Sequence, residues 1–208
     1  MRRKFQFTLL ISMLALLGLS GCSSTRNVEL EANFPVPLVS KVPIAMGVHL
    51  TPEIREYVYT EKIGKSNEWN VAVGPVQQTL FANLAQGMFD NFQVIAADTA
   101  ELAPQAAMDA VLKPSIEQLQ FALPDQTRTN YYEVWIRYNF QLYDPAGELI
   151  SEWPLPAYGK AHKKDFGNKQ RGVEAAALAA CRDAMAFFSI NFASEPAIEQ
   201  WLQSMRTP

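Results

Sequence analysis

Apolar and polar residues alternate most regularly over residues 132–143. Every second position from Tyr132 to Leu142 is aromatic or aliphatic, and most positions between them are charged or amide side chains. A period of two predicts a β-strand with one face in the core and the other in solvent. The next residues, Asp144-Pro145-Ala146-Gly147, have the composition of a type I turn. They predict that residues 148–153 fold back as an antiparallel strand, which residues 158–164 continue.

Two longer segments have the period of a helix instead. Pro75 is a residue type favoured at the first position of a helix, and apolar side chains follow it at a spacing of four, so a helix is predicted over residues 75–91. A second helix is predicted over residues 170–193, with an apolar stripe that includes Cys181. A short terminal helix is predicted over residues 197–205.

Shorter patterns predict the remaining strands. They lie at residues 44–50, 57–60, 69–73, 92–96 and 110–123. The order is strands, helix, strand, antiparallel meander and helix. It predicts an α+β domain over residues 44–208, with a largely antiparallel sheet and two main helices packed on one face.

The first residues have a different composition from the rest of the chain. Residues 1–4 include three cations, and residues 5–19 are mostly apolar, which is the pattern of a secretory signal peptide. A membrane-spanning helix needs about 20 predominantly apolar residues, and here the chain becomes polar directly after Cys22, so a permanent span is the weaker alternative.

Leu19-Ser20-Gly21-Cys22 at the end of this apolar run resembles the lipobox of bacterial lipoproteins. The resemblance implies that residues 1–21 are removed and that Cys22 carries the lipid anchor; the alternative is an ordinary signal peptide with an incidental cysteine. In that family an Asp after the cysteine favours the inner membrane, and this chain has Ser23. The resemblance therefore implies the periplasmic face of the outer membrane. Residues 22–43, polar and then proline-rich, predict a lipidated tether.

Charge and cysteine content limit the partners and the chemistry. The 208-residue chain has a formal charge of −3, which becomes −6 when the three cations of the signal segment are removed. A nucleic acid is therefore not expected as a partner. Cys181 is the one thiol left beside Cys22, so an intramolecular disulfide is not expected. Its place on an apolar stripe predicts a buried thiol that behaves as a small hydrophobic side chain.

No pattern of catalytic residues stands out. The two histidines are His49, expected on the solvent face of the first predicted strand, and His162, which lies in a cationic run. No His, Cys or acidic residues have the spacing of a metal site, and the common catalytic motifs are absent from the sequence. The sequence therefore predicts a protein that is not an enzyme and that uses no metal or cofactor.

Two surface features are candidates for binding. Trp135 and Tyr143 share the polar face of the strand over residues 132–143, and we expect them to contact a partner unless another part of the chain covers them. Three lysines, Lys160, Lys163 and Lys164, begin a cationic run in an otherwise acidic protein. That run is either a solvated loop or a docking site for an acidic partner or lipid phosphates.

The order of elements, together with the lipobox, resembles a class of small periplasmic lipoproteins. This class includes the lipopolysaccharide-assembly lipoprotein, the YajG-like lipoproteins and the auxiliary lipoproteins of ABC-type lipid transporters. The resemblance implies a lipid-anchored, non-catalytic accessory of an outer-membrane assembly, transport or secretion complex, with an envelope protein as partner. The alternative is a module that binds a lipid or another envelope ligand between helices and sheet. A deep apolar cavity would favour the ligand, and an exposed aromatic patch would favour the complex.

Overall fold

The computed structural model describes residues 24–64, 67–96 and 107–206. Over these ranges it has eight β-strands in two sheets and five α-helices. The strands are β1 (Ser24–Glu29), β2 (Val42–His49), β3 (Val58–Ile63), β4 (Asn67–Ala72), β5 (Phe89–Ile95), β6 (Ala110–Ala122), β7 (Tyr131–Tyr143) and β8 (Leu149–His162). The helices are α1 (Pro52–Arg55), α2 (Gly74–Met88), α3 (Pro124–Thr127), α4 (Lys169–Asn191) and α5 (Pro196–Arg206). The predicted signal peptide and Cys22 lie outside the described residues.

The strands form a large sheet in the order β5-β2-β6-β7-β8 and a small sheet in the order β1-β4-β3. The longest pairings, β6 with β7 and β7 with β8, are antiparallel, whereas β5, β2 and β6 run parallel, as do β1 and β4. The predicted α+β class is confirmed. The division into two sheets and the parallel pairings were not predicted, because alternation within a strand does not identify its neighbours.

The two main helices cover one face of the large sheet, as predicted. Tyr138 of β7 lies between them: its Oη donates to Gln77 Oε1 of α2 at 3.2 Å and lies 3.7 Å from Cys181 Sγ of α4. All three residues are fully buried. The predicted burial of Cys181 is thus confirmed, and this burial raises the pKa of the Cys181 thiol to about 11.

Helix α4 packs directly on β8 at Gly159. A Cβ atom at this position would lie 2.1 Å from the carbonyl oxygen of Ala176 and 2.3 Å from the backbone nitrogen of Ala180. Small residues on both elements therefore allow the two backbones to approach this closely, which explains the alanine-rich buried face of α4.

β8 runs without interruption through Pro154 and Pro156, where the sequence predicted two separate segments. The backbone N–H of Tyr158 donates to Asp183 Oδ2 at 2.9 Å, so it points away from β7. Pro154 and Pro156 have the same parity as Tyr158, and an N–H there would also point off the sheet edge. Their missing N–H groups therefore leave the pairing with β7 intact and blunt the edge against other strands.

The predicted tether over residues 22–43 is wrong for residues 24–34. Ser24–Glu29 pairs with β4 as β1, and Val28, Leu30 and Phe34 are buried in the core. The signal that could have found this segment is the alternation of Val28, Leu30, Ala32 and Phe34 with polar residues between them.

His49 is also placed differently from its expected solvent-facing position. It is 1 % exposed at the end of β2. Residues 46–49 of β2 are all buried, so both faces of the strand are covered at this end, where the alternation had predicted one wet face.

Candidate functional site on the outer face of the large sheet

The outer face of the large sheet is the face opposite α2 and α4. Odd-numbered residues of β7 lie on it because even-numbered residues, such as Tyr138, enter the core. The register of β7 and β8 places Trp135 opposite Tyr158 and Glu133 opposite Lys160. The outer face thus brings together residues that lie about 25 positions apart in the chain.

These residues form a compact cluster that we name the aromatic patch: Tyr131, Glu133, Trp135, Tyr158, Lys160 and His162. The Trp135 and Tyr158 rings are 5.4 Å apart between centroids, and the two residues are 40 % and 38 % exposed. The Lys160 ammonium lies 5.1 Å from the centre of the Tyr131 ring. Aromatic side chains with polar tips are enriched at protein interfaces.

A short hydrogen bond fixes the orientation of Tyr158. Its Oη donates to Glu133 Oε1 at 2.7 Å. This bond to the carboxylate, with some contribution from burial, raises the pKa of Tyr158 to about 12. The phenol therefore stays neutral, and its ring is held beside Trp135 as a preformed surface.

Tyr143 does not belong to the aromatic patch, although it lies on the same face. It is eight residues from Trp135 along β7, which corresponds to roughly 27 Å in a strand. It is half-buried, its Oη donates to Gln141 Oε1 at 3.1 Å, and partial burial, together with the nearby Glu152 carboxylate, raises its pKa. Trp135 and Tyr143 are therefore two separate surface positions.

The three lysines predicted for docking lie at the end of β7 and β8 that carries the aromatic patch. Lys160 belongs to the patch, and Lys163 and Lys164 follow directly in a 3₁₀ turn. The N–H of Lys163 donates to Asn130 O at 2.8 Å, and the N–H of Lys164 donates to His162 Nδ1 at 3.2 Å. The backbone of this turn is thus ordered, and both lysine residues are exposed.

Sequence reasoning did not select Tyr158 as a site residue. Its position opposite Trp135 depends on a strand that continues through two prolines. From the sequence alone, these prolines predict an interruption of the strand. The signal that could have found it is the even spacing of Pro154, Pro156, Tyr158 and Lys160, which places all four on one face.

Part of the space between the helices and the large sheet is tightly filled. Around Leu80, Phe81, Tyr138 and Phe188 the free volume is about 0 Å³, so this part of the core has no room for a lipid. The described part of the surface includes three depressions. One of about 160 Å³ borders Trp135, Gln118 and Arg137, and a polar one of about 570 Å³ lies beside Arg171 and Glu174.

The third depression is an apolar groove between residues 35–39 and the outer side of α4. It has a volume of about 300 Å³, and Arg182 is its one charged lining residue. Ile190 and Val39 in its wall are 71 % and 36 % exposed, and the adjacent Leu38 is 99 % exposed. The groove is thus an exposed apolar surface with a cation in its wall.

Two kinds of feature are absent from the described residues. Within residues 24–64, 67–96 and 107–206, no group of three or more His, Cys, Asp or Glu side chains is arranged to hold a metal ion. Among the helices of these same ranges, none combines the length and apolar character needed to cross a membrane.

Comparisons with known proteins identify solved structures of similar fold. No protein-family model matches the chain, and no curated protein matches it in sequence. Among solved structures, it is similar to protein XCC0632 of Xanthomonas campestris, from family DUF330, with a TM-score of 0.50 and 11 % identity over 85 % of this chain and 98 % of that one. At this identity the likeness shows the fold alone.

Bacterial lipoproteins are also among the structural neighbours. The minor lipoprotein of Acinetobacter baumannii matches with a TM-score of 0.38 and 12 % identity, over 76 % of this chain and 96 % of its own. Lipoprotein GNA1162 of Neisseria meningitidis matches with a TM-score of 0.32 and 13 % identity, over 70 % of this chain and 99 % of its own.

Proposed function

We propose that this chain is a lipid-anchored, non-catalytic accessory protein at the periplasmic face of the outer membrane, where it binds another envelope protein of an assembly, transport or secretion complex. The lipobox at Cys22 supports the anchor. The observation that carries the binding role is the pair of exposed rings of Trp135 and Tyr158, which lie 5.4 Å apart at an interplanar angle of 38°. Covering exposed aromatic area of this kind lowers the free energy of the complex. Trp and Tyr are also frequent anchors of protein interfaces.

The surroundings of the two rings support the same role. Glu133 holds the Tyr158 phenol in place, so the surface is preorganised and little conformational entropy is lost on binding. Lys160, with Lys163 and Lys164 beside it, adds positive charge to one side of the aromatic patch. A partner with apolar side chains at its centre and carboxylates at its rim fits this surface.

The test is crosslinking in intact cells followed by purification and mass spectrometry, with Trp135→Ala compared with the parent protein. Truncating a central interface anchor costs about 2 kcal/mol or more in binding, which is roughly a thirtyfold loss of affinity. The crosslinked partner should therefore disappear. Loss of the cross-strand contact with Tyr158 should lower the folding stability by less than about 1 kcal/mol.

Two matched variants make this test specific. Phe187→Ala removes an aromatic ring that is 48 % exposed on α4, and the partner should remain crosslinked. Tyr143→Ala tests the other aromatic residue of the same face, and we expect its effect to be smaller than that of Trp135→Ala. A partner lost with Tyr143→Ala but retained with Trp135→Ala would contradict docking at the aromatic patch.

The alternative function, ligand binding, is favoured by the apolar groove rather than by the core. An acyl chain fits the apolar walls, and Arg182 would accompany an anionic head group. In the described residues, Arg182 stacks over the Phe34 ring at 6.0 Å and makes no ion pair.

If the groove binds an acyl chain, a photoreactive fatty acid should label residues of the groove in cells. Ala186→Phe, which fills the groove, should abolish the labelling. Labelling unchanged by Ala186→Phe would exclude this groove as a ligand site.

A further inference from the structure

β1 fastens the N-terminal side of the chain to the small sheet. All six residues of Ser24–Glu29 are in register with β4, and Ser24 Oγ donates to Asn67 Oδ1 at 2.6 Å. Asn70 Nδ2 donates to Asn27 Oδ1 at 3.1 Å. The first described residue of the chain is therefore already held by the fold.

The residues after β1 are fixed as well. Leu30 and Phe34 are 3 % and 2 % exposed, and Asn83 Nδ2 of α2 donates to the carbonyl oxygen of Phe34. Gly87 allows close contact with Pro37, because a Cβ atom there would lie 2.5 Å from Pro37 O. Leu30, Phe34 and Pro37 thus hold this segment on the domain, so it provides no free spacer.

The distance between the anchor and the domain is consequently short. Cys22 is two residues from Ser24, and an extended chain spans at most about 3.6 Å per residue, which gives roughly 7 Å. A free tether of the 22 residues 22–43 would instead have a root-mean-square length of about 25 Å.

We infer that the end of the small sheet that contains Ser24, Ile63 and Asn67 lies against the surface of the bilayer and that β1 holds the domain there. This inference rests on the proposed lipid anchor at Cys22. The three residues occupy one row of the small sheet, in register across β1, β4 and β3. In the next row Lys62 lies opposite Glu68, so this row adds no net charge that an anionic leaflet would repel.

The same geometry limits where the partner can be. The Trp69 ring of the small sheet lies 5.5 Å from the ring of Phe121, and Phe121 pairs with Val134, the neighbour of Trp135 in β7. The aromatic patch is thus separated from the small sheet by about the thickness of one sheet layer, roughly 10 Å. The partner is therefore a protein at or in the same membrane rather than one reached across the periplasm.

The test uses the full acylated chain in vesicles of phosphatidylethanolamine and phosphatidylglycerol that contain a lipid with a nitroxide-labelled head group. A fluorophore is attached at Lys62→Cys or, as the matched control, at the exposed Glu148→Cys. Position 148 lies in the β7–β8 turn, about 30 Å along the strand from the residues that contact the small sheet. Cys181 is fully buried and does not take the label, because a protonated, inaccessible thiol is unreactive.

The fluorophore at position 62 should be quenched at least about twofold more than the one at position 148. A Gly-Ser linker of about 20 residues inserted between Ser23 and Ser24 adds a root-mean-square length of roughly 25 Å and should reduce the quenching at position 62 to the level at position 148. The same linker inserted between Ala146 and Gly147 should leave it unchanged.

The contrary results distinguish a wrong orientation of the small sheet from a missing lipid anchor at Cys22. A protein that sediments with the vesicles but shows equal quenching at both positions, or no effect of the linker before Ser24, would overturn the membrane-facing small sheet while leaving the anchor intact. An intact mass without lipid, with no sedimentation, would overturn the anchor and this inference together.

Discussion

Replacing Gly159 by alanine should destabilise the domain strongly. The new methyl group would lie 2.1 Å from the Ala176 carbonyl oxygen and 2.3 Å from the Ala180 nitrogen. Both atoms belong to the backbone of α4, so a change of side-chain rotamer cannot relieve the overlap. The helix has to move away from β8, which opens the packing around Tyr138 and Cys181.

The magnitude follows from the cost of overpacking. Extra methyl groups in packed cores cost about 1–3 kcal/mol where side chains adjust, and we expect about 3 kcal/mol or more here because the backbone must shift. In a domain of this size 1 kcal/mol changes the melting temperature by about 2–4 °C. The melting temperature should therefore fall by about 6–12 °C, as measured by circular dichroism.

The matched control is Gly167→Ala. Gly167 is exposed, and a Cβ atom there would meet nothing within 4 Å. This variant should be neutral or up to about 1 kcal/mol more stable, since alanine restricts the unfolded chain. A Gly159→Ala protein within about 0.5 kcal/mol of the parent would refute the direct contact between α4 and β8.

Three further changes test the buried and exposed polar contacts. Glu133→Gln should return the pKa of Tyr158 from about 12 towards 10, seen as an earlier phenolate absorbance in a pH titration; in the parent, the hydrogen bond stabilises the fold fully below pH 10, and this contribution is lost as the pH rises from 10 to 12. Cys181→Ser should cost about 1–3 kcal/mol in chemical denaturation, because Tyr138 Oη lies 3.7 Å from the sulfur and would be too far from the serine oxygen to hydrogen-bond it; an unchanged stability would contradict this. Tyr138→Phe should cost about 1–3 kcal/mol, since it leaves Gln77 Oε1 without its donor.

The sequence correctly predicted the elements that are determined by side-chain period and turn residues. The alternation of residues 132–143 corresponds to β7, the turn at Asp144 closes with Gly147 N–H donating to Asp144 O at 3.0 Å, and the two main helices begin and end within three residues of their predicted limits. These features are fixed by side-chain period and turn chemistry, which are readable along the chain.

The features that escaped prediction depend on which strands are neighbours. β1 has only a short apolar alternation, and its place is set by pairing with β4, about 40 residues later. β8 tolerates two prolines because it is the edge strand, where the N–H groups of every second residue point away from β7, as that of Tyr158 does. The aromatic patch has the same origin, because its Trp135 and Tyr158 rings meet through the β7–β8 register.

The lipid anchor on Cys22 is the claim on which both the location and the orientation of the domain depend. It is tested most directly by growing cells with a clickable fatty acid and comparing the parent chain with Cys22→Ala. The parent should incorporate the label and fractionate with the outer membrane, whereas Cys22→Ala should carry no label. Label that persists on Cys22→Ala, or a parent chain without label, would contradict the account.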